Sequence, residues 1–273
     1  KNEEQEIIEI LLKDSRFEAQ ESLLNLAFIY SKGEITNQLY SNENLDVNEE
    51  FEIPNSTSKG KINALMHSVS INDKTKIDQI LSHRTFNISK SRITKSIFIA
   101  AKNNNIEVLE KLISLINNDY NIYNEERQSL LAFSSNHLSS SIIEKILKNE
   151  LFDTKNDHLL YAFTQSYSNP QIKQKKTIEK SNKNNNNNDK LNSIWQTNQE
   201  VLNPESIPDK SSMIEVMKQF LEYDKEHQQE IKFEELLPNG KSFITIISRD
   251  FSNIREVGEF LISSGVDPNE PDK

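Results

Sequence analysis

The stretch KSIFIAAKNNNIEVLEKLI (residues 95–113) carries the pattern that decides the predicted fold of this chain. An alanine pair, Ala100-Ala101, is followed by a run of asparagines and then by apolar residues three or four positions apart: Ile106, Val108, Leu109, Leu112 and Ile113. Such spacing places one apolar stripe along a helix. Asparagine tolerates left-handed backbone angles and is frequent in turns. The stretch therefore predicts a short helix, a tight turn and a second, amphipathic helix.

Two sequence markers repeat along the chain with one period. Small residues followed by a small or apolar one stand at Ser68-Val69, Ala100-Ala101, Ala132-Phe133 and Ala162-Phe163, with spacings of 32, 32 and 30. An apolar or aromatic residue followed by Asn or Asp recurs as Phe86-Asn87, Tyr120-Asn121 and Phe152-Asp153, with spacings of 34 and 32. One helical hairpin cannot bury its apolar face alone, so neighbouring copies must supply the core. The markers predict a repeat array.

The composition fits such an array and excludes several classes of protein. Apolar residues make up 35% of the 273 residues, against roughly 45–50% in average globular chains. A formal net charge of -10 argues against a nucleic-acid binder, which normally carries a basic stripe. The absence of cysteine excludes disulfides and thiolate metal sites, and no apolar run reaches the ~20 residues of a membrane span. We expect an acidic, helical, cytoplasmic protein.

The pattern resembles the ankyrin repeat, whose unit opens with T-P-L-H-x-A-A, turns at N-G and closes with V-x-x-L-L-x-x-G-A-D-V-N. The copies nearest to it are residues 95–113 and residues 239–269, the second of which starts with Asn239-Gly240 and ends in Gly265-Val266-Asp267-Pro268-Asn269. The signature Thr-Pro and His are mostly absent, and Phe98 stands where His is expected. The resemblance implies an all-α, ankyrin-like helical repeat solenoid of antiparallel helix pairs joined by extended loops.

The repeat markers also divide the chain. We assign residues 1–172 to N-terminal repeats, residues 173–190 to a Lys/Asn-rich insert, and residues 191–273 to C-terminal repeats. A truncated unit over residues 7–13 precedes seven units, which begin near Ser15, Asn48, Ser89, Tyr123, Thr154, Asp189 and Phe233. The insert is expected to be a disordered loop outside the stacked helices. The sixth unit takes residues 191–195 as its first helix and 213–221 as its second, with a helical crossover between 166 and 212 as the alternative.

No residue pattern in the sequence predicts catalysis or the binding of a metal or cofactor. The five histidines, at positions 67, 83, 137, 158 and 227, never stand at the i, i+4 spacing of a metal site. Nucleophile-elbow, P-loop and dinucleotide motifs are also missing. Acidic pairs such as Glu125-Glu126 are interpreted as solvated loops, because an acid–base pair needs a cleft. We therefore predict no enzyme activity, no catalytic residues, no cofactor and no metal.

The ankyrin resemblance instead implies a concave face, lined by loops and first helices, that binds a protein. The residues it nominates are Lys61, Asn63, Lys95, Lys102, Asn103, Gln128, Ser135, Asn136, Lys241, Arg249 and Asp250, and plain solvent exposure is the alternative for each of them. We place the groove between Ser89 and Asp153. Its lysines, Lys95 and Lys102, favour an acidic or phosphorylated partner segment, because they stand out in an acidic chain.

The predicted function is protein–protein interaction by a monomeric module without a cofactor. Ankyrin-like arrays rich in Lys, Asn and Ile are frequent among effectors that intracellular bacteria deliver into host cells, so we expect a secreted effector that binds a host protein in the host cytoplasm. One alternative is the targeting domain of a larger enzyme, which the incomplete first and last units suggest. Another is a divergent hydrolase within residues 166–235, for which no nucleophile–base pair is found.

Overall fold

The computed structural model describes residues 21–52, 60–152, 159–167, 210–227 and 254–264. These residues form eleven helices and one two-stranded antiparallel sheet: α1 (Glu21–Tyr30), α2 (Glu34–Tyr40), β1 (Phe51–Glu52), β2 (Lys61–Ile62), α3 (Ala64–Ser70), α4 (Lys74–Ser82), α5 (Ile93–Lys102), α6 (Ile106–Ser114), α7 (Leu130–Asn136), α8 (Ser140–Leu147), α9 (Leu159–Tyr167), α10 (Lys210–Glu226) and α11 (Ile254–Ser263). The described part of the chain is mostly helical, in agreement with the predicted all-α class.

The chain divides into two compact units. Of the described residues, those up to Ala100 form the first unit and those from Ala101 onwards form the second. The division falls within α5. Each unit is therefore described by itself.

The core of the first unit is formed by α1 to α4. Helix α1 packs against α2 and α3, and α3 packs against α4. The side chains between these helices are apolar and almost completely buried; they include Phe28, Leu39, Leu65, Ile77 and Ile80. Each such side chain contributes about 1.5–3 kcal/mol when it leaves water. Packing of α1 on α3 thus supplies stability that the α3–α4 hairpin lacks alone.

A buried asparagine joins the loop after α2 to the loop after α4. Asn48 is 6% exposed, and its Nδ2 donates to the carbonyl oxygen of Thr85 at 2.5 Å. Its Oδ1 accepts from the main-chain nitrogen of Asn87 at 3.0 Å. A carboxamide carries both a donor and an acceptor, so one side chain satisfies two main-chain groups of the neighbouring loop.

Two of the connections between helix pairs contain short antiparallel pairings. In the first unit, β1 and β2 place Phe51 opposite Ile62. In the second unit, Tyr123 and Ser129 form an isolated antiparallel bridge, and the main-chain nitrogen of Leu130 donates to the carbonyl of Ile122 at 3.0 Å. The loops predicted to be extended are thus partly organised as β-hairpins.

The second unit shows how α9 and α10 are paired. Helix α7 packs against α8 and α9, while α10 packs against both α8 and α9. Phe163 of α9 and Phe220 of α10 are fully buried and meet edge to face, with ring centroids 5.7 Å apart. Residues 213–221 are helical and lie on α10, as predicted, and their assignment to a sixth unit stays a prediction.

The tight turns inside three helix pairs share one backbone geometry. Each turn has three residues between its two helices. The middle residues are Asn72, Asn104 and Leu138, which have φ angles of 57°, 49° and 55° and stand 32 and 34 residues apart. After α3, the nitrogen of Asp73 donates to the carbonyl of Ser68 at 2.9 Å, which is the six-to-one hydrogen bond of a helix C-terminal cap. The predicted asparagine turn at 103–105 is confirmed.

The same hydrogen bond corrects the position of one repeat marker. After α7, the nitrogen of Ser139 donates to the carbonyl of Ser134 at 2.9 Å. Ser134 therefore occupies the place of Ser68, and the marker assigned to Ala132 lies two residues too early. Ser134 and Ala100 are both small residues that are completely buried.

Candidate partner-binding surfaces

Five of the eleven predicted binding residues lie on α5, on α7 or in the connection between α6 and α7. Lys95 and Lys102 both lie on α5 and are half-buried. They are seven residues apart, which is about two helical turns, so they share one side of the helix. Asn103 is exposed in the turn after α5. Gln128, in the connection between α6 and α7, and Asn136, on α7, are half-buried.

Two of the predicted binding residues are buried and bonded to the main chain. Ser135 is completely buried, and its Oγ donates to the carbonyl of Leu131 at 2.9 Å. Asn63 is completely buried as well, and its Oδ1 accepts from the nitrogen of Met66 at 2.9 Å, as an N-cap does. Both assignments to the binding surface are corrected, because the two side chains are buried and bonded to main-chain groups within the fold. The predicted residues Lys241, Arg249 and Asp250 lie outside the described residues.

A groove of about 530 Å³ that the sequence did not predict runs between α8 and α10 in the second unit. Its walls carry five carboxylates, from Glu144, Glu150, Glu215, Glu222 and Glu226. The lysine that lines it, Lys148, is bound to Glu144, with Nζ and Oε1 2.6 Å apart. The groove therefore holds an excess of four negative charges over these groups.

The charges of the two helices act on each other across this groove. The pKa of Lys148 is raised, first by its hydrogen bond to Glu144 and that carboxylate's charge, and further by the charges of Glu226 and Glu222 on α10. The charge of Lys148, which directly follows α8, is thus favoured by carboxylates on α10. The same field favours any cation that enters the groove.

Polar and aromatic groups of α10 complete the groove. The Oε1 atom of Gln219 is buried and has no hydrogen-bond partner among the described residues. The ring of His227 stacks on that of Tyr223, with centroids 4.0 Å apart and planes 16° apart. His227 Nδ1 donates to the Tyr223 carbonyl at 2.9 Å, which places the proton on that nitrogen and leaves Nε2 as an acceptor in the neutral ring.

The first unit holds a pair of buried basic side chains. His67 and Lys76 are 7% and 6% exposed. Burial and the charge of Lys76 lower the pKa of His67, while Asp73 opposes the shift. The ring of His67 meets Tyr30 edge to face, and its Nδ1 has no hydrogen-bond partner in the described part of the chain. Because these side chains are buried within the first unit, we interpret them as part of its core and not as a binding site.

Within the ranges that the structure describes, no group of three histidine or acidic residues is arranged to hold a metal ion. None of the described helices is long and apolar enough to cross a membrane. Comparison of the chain with protein-family models, with curated proteins and with solved structures found no match. The candidate surfaces therefore stand on their own geometry and charge.

The sequence did contain a signal for the groove. Glu215, Glu222 and Glu226 are seven and four residues apart, which places them on one stripe of a helix. Their apolar neighbours predicted the helix, but a carboxylate stripe by itself is typical of a solvated face. The partner wall comes from α8, more than sixty residues earlier, and no local pattern shows that these two helices are adjacent.

Proposed function

We propose that this chain is a protein-recognition module whose helix pairs stack as an ankyrin-like solenoid. The observation that carries the proposal is the left-handed turn residue that recurs at Asn72, Asn104 and Leu138, with spacings of 32 and 34 residues. Helical repeats have units of about this length. Packing within the units adds support, since α1 lies on α3, α7 on α9 and α8 on α10.

The partner of this module is, in our proposal, a protein segment that is acidic or phosphorylated. Lys102, Asn103, Gln128 and Asn136 belong to the second unit, and Lys95 precedes Lys102 on α5. Ammonium groups attract carboxylates and phosphates, and such attraction gives specificity and fast association. We further propose that the partner is a host protein and that the module acts as a bacterial effector in the host cytoplasm.

Charge reversal on α5 tests this function. A partner is first captured from host-cell lysate and purified, and its dissociation constant is then measured against the full chain. The Lys95→Glu/Lys102→Glu variant is expected to bind at least about tenfold more weakly, since each reversal turns attraction into repulsion. Lys90→Glu/Lys111→Glu makes the same charge change at exposed positions outside this set of residues. Equal dissociation constants for the two double variants, with melting temperatures unchanged, would refute the assignment of binding to α5.

A further inference from the structure

We infer that His83 is a protonation switch: its neutral ring holds two loops of the first unit together, and its protonated ring releases them. The loops are residues 42–48, which follow α2, and residues 83–87, which follow α4. The contact between these loops, the loop contact, lies within the first unit. The switch therefore needs no partner and is independent of the proposed function.

The hydrogen bonds of His83 fix which ring nitrogen carries the proton. His83 is 4% exposed, and its Nε2 lies 3.0 Å from the main-chain carbonyl oxygen of Tyr40. A carbonyl only accepts, so Nε2 carries a hydrogen and donates it. The main-chain nitrogen of Thr85 donates to Nδ1 at 3.2 Å. An amide N–H only donates, so Nδ1 is the acceptor and the ring is the neutral Nε2–H tautomer.

Thr85 connects the ring of His83 to the loop after α2. Its Oγ1 lies 2.8 Å from His83 Nδ1 and accepts from the main-chain nitrogen of Val47 at 3.2 Å. Its carbonyl oxygen accepts from Asn48 Nδ2 at 2.5 Å, and Asn48 Oδ1 accepts from the nitrogen of Asn87 at 3.0 Å. Thr85 is therefore bonded to the histidine ring and to two residues of the opposite loop at the same time.

Protonation of His83 takes place at Nδ1, because Nε2 already carries a hydrogen. The N–H groups of Nδ1 and of Thr85 then face each other, and the hydrogen bond between them is lost. The Thr85 hydroxyl, which donates to the neutral Nδ1, must turn so that its oxygen accepts instead. The bond from Nε2 to the Tyr40 carbonyl is kept. Protonation therefore disturbs the Thr85 side of the ring, which is the side that holds the loop contact.

The groups around the ring favour its neutral form in the closed loop contact. Burial lowers the pKa of His83, and the hydrogen bond to the Tyr40 carbonyl opposes this shift. Among the charged groups, Arg84 lowers the pKa and Asp46 raises it. From α2, the ring of Tyr40 meets that of His83 edge to face, with centroids 4.9 Å apart. A histidine in the opened contact takes up a proton near pH 6.5, so acid shifts the balance toward opening.

Nuclear magnetic resonance of the full chain tests the switch. The chemical shifts of the imidazole nitrogens identify the tautomer of His83 at pH 7.5. Amide hydrogen exchange at pH 7.5 and 5.5, corrected for the intrinsic exchange rates, reports the opening of the loop contact. The reporter amides are those of Val47 and Asn87, which donate to side chains of the opposite loop.

We expect the Nε2–H tautomer at pH 7.5, and a protection of the reporter amides that is about threefold to tenfold lower at pH 5.5. One histidine changes an equilibrium by at most about tenfold per pH unit below pH 6.5. His83→Gln keeps a donor and an acceptor but does not titrate, so its reporter amides should lose this pH dependence. The matched control is His67→Gln, which removes the other buried histidine of the first unit and should retain the pH dependence of the wild type.

Three results would overturn the switch: an Nδ1–H tautomer, equal protection of the reporter amides at both pH values, or an undiminished pH dependence in His83→Gln. A smaller pH dependence in His67→Gln would also overturn it, because the reporter amides would then exchange through unfolding of the whole first unit. If His83→Gln does not fold, the tautomer and the exchange of the wild-type chain still decide the question.

Discussion

The ammonium group of Lys76 on α4 donates a hydrogen bond to the main-chain carbonyl of Ile29 at the end of α1. The last carbonyls of a helix lack partners within it, and a cation is favoured there by the helix dipole. Lys76 is 6% exposed, and its Nζ lies 5.8 Å from the centre of the Phe28 ring. Burial lowers the pKa of Lys76, although Asp73 opposes this shift. The side chain of Lys76 thus links α4 to α1 through a hydrogen bond.

Replacement of this lysine should therefore destabilise the first unit. Lys76→Ala removes the donor and leaves the Ile29 carbonyl buried without it, so we expect the free energy of unfolding to fall by about 1–3 kcal/mol. Urea unfolding followed by far-UV circular dichroism measures this change. Lys74→Ala alters an exposed lysine on the same helix and should stay within about 0.5 kcal/mol of the wild type. Equal effects of the two substitutions would contradict the capping role.

Lys76 also shows where sequence patterns stop being informative. Counted from the left-handed turn residue, it occupies the position that Val108 holds in α6 and Ile142 holds in α8. Those two side chains are buried, as the apolar stripe predicted. A lysine in this place would be interpreted from sequence as an exposed charge. Its burial depends on a carbonyl 47 residues away, a contact that no local period contains.

Acid should weaken the first unit through His67. The pKa of His67 is lowered by burial and by Lys76, with Asp73 acting in the opposite direction. The unfolded chain then binds a proton near pH 6.5, whereas the folded chain binds it only at lower pH. Stability therefore falls as pH decreases below about 6.5, by at most about 1.4 kcal/mol per pH unit for one histidine.

The pKa of His83 is lowered, as is that of His67, so both histidines are tested in one experiment. Burial and the charge of Arg84 lower the pKa of His83, while its hydrogen bond to the Tyr40 carbonyl and the charge of Asp46 oppose the shift. Urea midpoints at pH 7.5 and 5.5 should differ less for His67→Gln/His83→Gln than for the wild type. The interval avoids most carboxylate titration. An identical pH dependence in both proteins would argue against the two histidines as its source.

The turn between α5 and α6 provides a third prediction, in which neighbouring asparagines are compared. Asn104 has a φ angle of 49° and Asn103 does not share this conformation. A left-handed backbone costs most residues about 1–2 kcal/mol, but asparagine adopts it readily and glycine more so. Asn104→Ala should therefore cost about 1 kcal/mol in thermal or urea unfolding, while Asn103→Ala costs less than about 0.5 kcal/mol. Asn104→Gly should restore the wild-type value; if it is as unstable as Asn104→Ala, side-chain contacts and not φ decide this position.

The turn between α5 and α6 could be predicted from the sequence, whereas the packing of α9 on α10 could not. The run Asn103-Asn104-Asn105 could be interpreted locally because asparagine has its own backbone preference. Helices α9 and α10 are separated by residues 168–209, and no local sequence pattern across such a length shows that the two helices pack together. The groove depends on this pairing as well, because α10 forms one of its walls.

The contact between Phe163 and Phe220 tests the pairing of α9 with α10 directly. Both rings are completely buried and meet edge to face at 5.7 Å between centroids and 88° between planes. Each single substitution, Phe163→Ala or Phe220→Ala, should lower the free energy of unfolding by about 3–5 kcal/mol, and Phe→Leu provides a milder variant if the alanine proteins do not fold. The double substitution should cost less than the sum of the two, because the rings lose one shared contact of about 0.5–1.5 kcal/mol. A cycle of Phe163→Leu with Val108→Ala, a buried residue of α6 that is not in this ring pair, should be additive within about 0.5 kcal/mol. Additive effects of the phenylalanine pair would contradict the contact between the two rings and, with it, the packing of α10 on α9.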